Sequence, residues 1–68
     1  MMKSMSNLYG EVLSIKGETY VIREAAGNQV RIRIDQHSKI EDPPKVGDKV
    51  EAKFTITKGL RAESITKQ

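Results

Sequence analysis

The sequence contains no cysteine and no tryptophan, only two prolines, and three aromatic residues, Tyr9, Tyr20 and Phe54. Without cysteine there is no disulfide framework, no thiolate-held zinc or iron–sulfur site and no thiol nucleophile. No apolar run approaches the ~20 residues that cross a bilayer as a helix. The opening Met1-Met2-Lys3-Ser4-Met5-Ser6-Asn7 lacks the apolar stretch of a secretion signal. Glycine-rich phosphate cradles are also missing, because Gly27, Gly47 and Gly59 each stand alone and none opens a helical pattern. With 68 residues there is room for one domain. A chain this short buries only about 60% of the surface it exposes when unfolded, so its core must be compact.

The charge is less informative than its total suggests. The net +3 includes Lys3 and Lys67, near the two ends, and the span from Leu8 to Thr66 carries 10 basic against 9 acidic residues. Signs alternate along it, as in Lys16-Gly17-Glu18 and Lys49-Val50-Glu51-Ala52-Lys53. This interleaving is the pattern of a solvated surface rather than of a continuous basic stripe.

What the sequence does have is strand periodicity, broken about every ten residues by a glycine turn. A first strand runs from Leu8 to Lys16, after a mobile tail over residues 1–7. Val12 and Ile15 lie three apart, so a β-bulge near Leu13-Ser14 is needed to return both to one face. Gly10 is expected where strands crowd. The second strand is Thr19 to Glu24, in which Tyr20 and Ile22 share the core face. In the third, Gln29 to Ile34, Val30, Ile32 and Ile34 alternate with Gln29, Arg31 and Arg33, so one face is core and the other meets water or a ligand. Asp35 to Lys45 is polar apart from Ile40 and ends in Pro43-Pro44, and reads as a connecting loop with room for one helical turn. Gly47-Asp48 turns into a fourth strand whose inward set is Val50, Ala52, Phe54 and Ile56. Lys58-Gly59 turns into the last, Leu60 to Thr66, where Ile65 breaks the parity of Leu60 and Ala62 and requires a second bulge or an early strand end.

The expected fold is therefore all-β, a small five-stranded antiparallel OB-like barrel over residues 8–66, with an SH3-like barrel as the alternative. Its outward face offers Arg31 and Arg33, with Arg23 adjacent if strands two and three form a hairpin, and Tyr9 as the one outward aromatic. A single-strand nucleic-acid groove needs basic residues and several stacking rings. One ring is too few, so nucleic acid ranks below a protein or peptide partner added at an open barrel edge. His37 beside Asp35 and Ser38 has the residue types of a catalytic fragment but sits in a polar loop without packed surroundings, and Glu41-Asp42 adjoins prolines. Neither indicates an enzyme. Met1, Met2, Met5 and His37 have the soft donors that suit Cu(I). The plainer reading is a methionine-rich start and a loop histidine, so no metal ligands are assigned and no cofactor is expected.

Several segments together carry a likeness: Gly10-Glu11-Val12-Leu13-Ser14-Ile15, Gly27-Asn28-Gln29-Val30-Arg31-Ile32-Arg33-Ile34-Asp35, Ser38-Lys39-Ile40, Lys45-Val46-Gly47-Asp48-Lys49-Val50-Glu51-Ala52 and Ala62-Glu63-Ser64-Ile65. On these the chain resembles a bacterial family of small OB-like β-barrels of unassigned function, often carried by exported proteins. The resemblance implies the barrel fold and carries over no catalytic or ligand residue. Through the Val-x-x-Ile first strand and the Gly47-Asp48-Lys49-Val50 turn it is also similar, more weakly, to small periplasmic copper-binding OB barrels. Those hold Cu(I) with a histidine, methionine thioethers and a tryptophan face on the barrel. Here the tryptophan is absent and no methionine lies within a strand. The expectation is a monomeric, non-enzymatic binding or accessory module without membrane insertion. It would be periplasmic or otherwise exported if a signal has been removed, and cytoplasmic if the chain is complete.

Overall fold

The structure is a computed structural model in which residues 5–68 are described. Residues 1–4 of the expected tail, Met1 and Met2 among them, lie outside the described residues. Five strands form: β1 (Ser6–Lys16), β2 (Thr19–Glu24), β3 (Gln29–Arg33), β4 (Lys49–Thr57) and β5 (Gly59–Lys67). They close into a barrel in the order β1-β2-β3-β5-β4, with β4 returning to pair with β1. This is the OB arrangement and not the SH3-like one. Four of the five pairings are antiparallel, whereas β3 meets β5 in parallel through Ile32↔Leu60 and Arg33↔Arg61. The all-antiparallel expectation is corrected by the long connection after β3. It carries the chain across the barrel so that β4 starts beside β1, and β5, hairpin partner of β4, then runs in the direction of β3.

Five short strands enclose a core only if the sheet curls strongly, and the sequence supplies the means. In β1 the register steps from Val12↔Ile22 to Ser14↔Val21, so Leu13 is an extra residue and the expected bulge is present. Val12 is fully buried and Ile15 packs against the same core. In β5 Glu63 is the extra residue, because Lys53 pairs with Ser64 and Phe54 with Ala62. That step lets Ala62 and Ile65 both point inward. Gly10 sits where β1 crosses β2 so closely that a Cβ would lie 2.4 Å from the Arg23 carbonyl oxygen and 2.7 Å from Ile22 Cγ2.

The barrel interior is filled by Leu8 and Val12 of β1, Tyr20 and Ile22 of β2, Ile32 of β3, Val50 and Ala52 of β4, and Ala62 and Ile65 of β5. Full burial of an aliphatic side chain contributes about 1.5–3 kcal/mol, and this row is the main source of stability in so small a chain. Val30 and Ile34 are partly buried at its margin, as is Phe54. Ile56 corrects the expected core. It keeps the inward parity, but β1 pairs with β4 only as far as Ser6↔Phe54, so Ile56 lies towards the β4–β5 hairpin tip and is 72% exposed. Thr55, expected outside, is buried. The start of β1 is corrected too, since Ser6 and Asn7 pair with Phe54 and Lys53 instead of belonging to a tail.

The loop from Ile34 to Asp48 contains turns and one parallel bridge, Lys39↔Ser64, and no helical turn. Its end continues the barrel wall. The Val12 N–H donates to the Asp48 carbonyl at 2.9 Å, and the Gly47 N–H donates to the Val12 carbonyl at 2.8 Å.

Three substitutions separate these roles. Gly10→Ala forces backbone apart and is expected to cost about 1–3 kcal/mol. Ile32→Val is expected to cost about 0.5–1.5 kcal/mol, whereas the chemically identical Ile56→Val stays within about 0.5 kcal/mol of wild type. Urea unfolding of the three variants reads all of these. Equal losses at Ile32 and Ile56 would contradict the placement of the hairpin tip.

Candidate functional site

The outer wall of β1, β2 and β3 is organised in cross-strand rows fixed by the register: Glu11–Arg23–Gln29, Ser14–Val21–Arg31 and Lys16–Thr19–Arg33. Each row places one side chain per strand about 5 Å from the next. The four residues singled out from the sequence fall in different places on this wall. Arg23 Nη2 donates to Glu11 Oε1 at 3.4 Å, an exposed pair of little energetic weight. Tyr9 is 55% exposed and lines, with Arg23, a cleft of about 380 Å³. Glu11, Glu24 and Lys49 share that cleft, so its charges are of both signs. Glu24 is held by the turn, accepting from Asn28 Nδ2 at 2.9 Å. Arg31 instead faces a second concavity with Lys16, Ser14 and Thr19. Arg33 Nη1 turns to the Lys58 carbonyl at 3.5 Å. The structure thus brings Arg23 and Tyr9 together and sets Arg31 and Arg33 apart from them. A continuous basic groove with a stacking ring is not formed.

The loop residues that resembled a catalytic fragment do structural work. Asp35 closes a turn in which its Oδ1 accepts from the His37 backbone N–H at 2.9 Å, while Ser38 Oγ accepts from the Asp35 N–H at 3.0 Å. Ser38 Oγ donates to the Ala62 carbonyl at 2.7 Å. The hydroxyl is therefore committed to β5, and the exposed His37 ring approaches Gln36 and not Ser38. Asp35 also receives both Nε (2.6 Å) and Nη2 (3.1 Å) of Arg61, whose Nη1 donates to Glu63 Oε2 at 2.6 Å. Thr55 Oγ1 donates to the same Glu63 oxygen at 3.4 Å. With the Lys39 N–H donating to the Glu63 carbonyl and the Ile65 N–H to the Lys39 carbonyl, this cluster ties the crossing loop to β5. The paired guanidinium holds the Asp35 carboxyl well below its usual range, from 3.8 to about 2, with desolvation opposing and the His37 N–H assisting. Arg61 is correspondingly held more firmly protonated, first through its hydrogen bond to Asp35.

The sequence reading missed Arg61, Glu63 and Lys16. The Asp35-x-x-Ser38 turn was a visible signal, but its partner Arg61 lies 26 residues away across a parallel contact that no local pattern shows. Among the described residues, no group of three or more histidine, aspartate or glutamate side chains could hold a metal ion. Met5 is 55% exposed beside the first residue of β1, and His37 is exposed in the loop, so neither belongs to the barrel wall.

No protein-family model and no curated protein matches the chain. Solved structures do. The chain is similar to Ag(I)-bound CusF, with a TM-score of 0.85 at 21% identity over 96% of this chain and 99% of the other. Apo-CusF from Escherichia coli gives 0.85 at 21% identity over 98% and 90%. A tryptophan-to-alanine variant of E. coli CusF with Cu(II) gives 0.83 at 22% identity over 94% and 91%. At such identity the likeness shows the fold, and it agrees with the weaker of the two resemblances seen in the sequence. It also corrects the expected protein or peptide partner, because the ligands in these structures are Ag(I) and Cu(II). Closure pairs β1, β2 and β4 on both sides, while β3 and β5 meet through two residue pairs, with Lys39 of the crossing loop bridged to Ser64 beyond them.

The Asp35–Arg61–Glu63 tie gives a signed acid response. An aspartate with a lowered folded pKa stabilises the fold above its unfolded value and loses that contribution as pH falls through the folded one. Stability is expected to drop between pH 3.8 and about 2. Asp35→Asn should flatten that part of the curve and be less stable than wild type at pH 7, both read by urea unfolding at fixed pH. A slope untouched by the substitution would count against the tie.

Proposed function

We propose that the protein is a small non-enzymatic barrel that binds a soft metal ion, of the kind of Cu(I) or Ag(I), and carries it without transforming it. The observation behind this is the end-to-end likeness to CusF, at a TM-score of 0.85 in structures solved with Ag(I) and 0.83 in one with Cu(II), over more than nine-tenths of both chains. The donors must differ from a wall-mounted set. The described strands present carboxylates, amines and guanidinium groups but no thioether or imidazole. The soft donors of the chain are Met1, Met2, Met5 and His37. Thioethers and imidazole select soft ions over hard ones, so this set suits Cu(I) or Ag(I) and not a hard divalent cation. On this reading the barrel is the rigid support, the ion is held at the N-terminal methionines with His37, and an envelope location follows from the resemblance to periplasmic copper-binding barrels.

Competition for Cu(I) against a chromophoric chelator tests it. The expected outcome is withdrawal of one equivalent of Cu(I) by the wild-type chain, with the combined Met2→Ala, Met5→Ala and His37→Ala variant withdrawing none while keeping its wild-type circular dichroism. An unchanged chelator signal with wild-type protein would end the metal reading. Full retention of binding in the triple variant would overturn the assignment of donors.

A further inference from the structure

The second concavity of the outer wall, about 550 Å³, is built from the bulge in β1, the ends of β1 and β2 that flank their turn, and Gln29 and Arg31 of β3. Its floor is the partly buried Leu13 and Val21, and its rim carries Lys16, Arg31, Ser14 and Thr19. The register makes the grouping compact. Ser14, Val21 and Arg31 form one row, and Lys16 and Thr19 lie in the next. No carboxylate lines it. Neither Lys16 nor Arg31 has an ion-pair or side-chain hydrogen-bond partner among the described residues, whereas Arg23 is engaged by Glu11 and Arg61 by Asp35 and Glu63. On a surface whose signs otherwise interleave, this is a place where two unneutralised cations and two hydroxyls converge over a shallow apolar floor.

We propose that this concavity is a binding site for a small phosphate-bearing ligand. A guanidinium presents paired donors that match a tetrahedral oxyanion, an ammonium adds a point charge, and hydroxyls donate to the remaining oxygens. The bulge at Leu13 has the role of placing Ser14 and Lys16 on the outer face together with Thr19. The occupant is small and not a polymer for reasons of the same geometry. Arg23 is paired with Glu11, which ends the unpaired charge on that side, and Arg33, in the row of Lys16 and Thr19, keeps its charge but donates to the Lys58 carbonyl and lies outside the lining of the concavity. Tyr9, the outward ring, lines the other cleft, so no base-stacking platform adjoins the site. This site is independent of the metal reading, because none of its lining residues is a soft donor.

Titration of the full chain with inorganic phosphate, pyrophosphate and, separately, a 12-mer oligothymidylate at low salt, followed by amide chemical shifts, tests it. Saturable one-to-one binding of pyrophosphate, tighter than that of phosphate, is expected, with the largest shifts at Ser14, Thr19 and Arg31. Lys16→Gln and Arg31→Gln should each weaken it about tenfold, the loss of one charge-assisted contact, while Lys53→Gln, on β4, leaves it unchanged. The wild-type fold of each variant is checked in the same spectra. No saturable binding, equal losses in all three variants, or tighter binding of the oligonucleotide with shifts spread over Arg23 and Arg33 would overturn the proposal.

Discussion

Closure of a five-stranded sheet around nine side chains is the constraint on which the rest of this molecule depends. A chain of this size has too little surface to bury in a flat sheet, since a sheet face without a covering layer leaves half of its apolar residues in water. Curling the sheet makes each strand cover the others. The cost is local geometry that regular strands do not have, and it is met at three places: the extra residue Leu13 in β1, the extra residue Glu63 in β5, and the bare backbone at Gly10. Each bulge also resets the side-chain alternation. The same residues that bend the sheet therefore decide what the outer wall presents, which links the core to any binding surface outside it.

The crossing loop is the second consequence of closure. To bring β4 beside β1 the chain must span the barrel between Ile34 and Asp48 with almost no regular structure. Its apolar attachments, Ile40 and the buried Pro44, are few. Polar ties supply the remainder, chiefly Asp35 with Arg61 and Ser38 with the Ala62 carbonyl. Bidentate geometry makes the first of these more directional than an ordinary surface pair. It also withdraws Asp35 and Ser38 from chemistry, because a carboxylate chelated by a guanidinium is a poor base and a hydroxyl already donating to a carbonyl is a poor nucleophile.

How much of this the sequence showed follows from the range of each interaction. Alternation is local, so the rows starting at Val30 and Val50, and the bulge implied by Val12 and Ile15, were legible from neighbouring letters. Parity does not say how far along the barrel axis a residue lies, and so Ile56 read as core although it stands beyond the end of β1. The parallel contact of β3 with β5 was hidden because it depends on the course of the connection over residues 34–48, not on either strand. The outer wall was half legible: that Arg31 and Arg33 face out is periodicity. That Arg23 is neutralised by Glu11, Arg33 turned to Lys58 and Arg31 joined by Lys16 is register, which the letters do not give.

Fold and chemistry therefore separate in this chain. The likeness to CusF runs through the whole barrel, and the features that enforce it, the inward aliphatic rows and the bulges, are structural requirements that leave the exterior free to vary. Soft-ion binding needs thioether or imidazole donors held with little freedom, because ordering flexible ligands consumes part of the binding free energy. In a barrel whose strands supply none, the proposed binding would depend on a segment attached at the beginning of β1 and on a loop that the Arg61 tie holds to β5. Under that proposal the firmness of the tie would bear on the ion as well as on the fold, since it fixes the backbone at His37 through the carboxylate of Asp35.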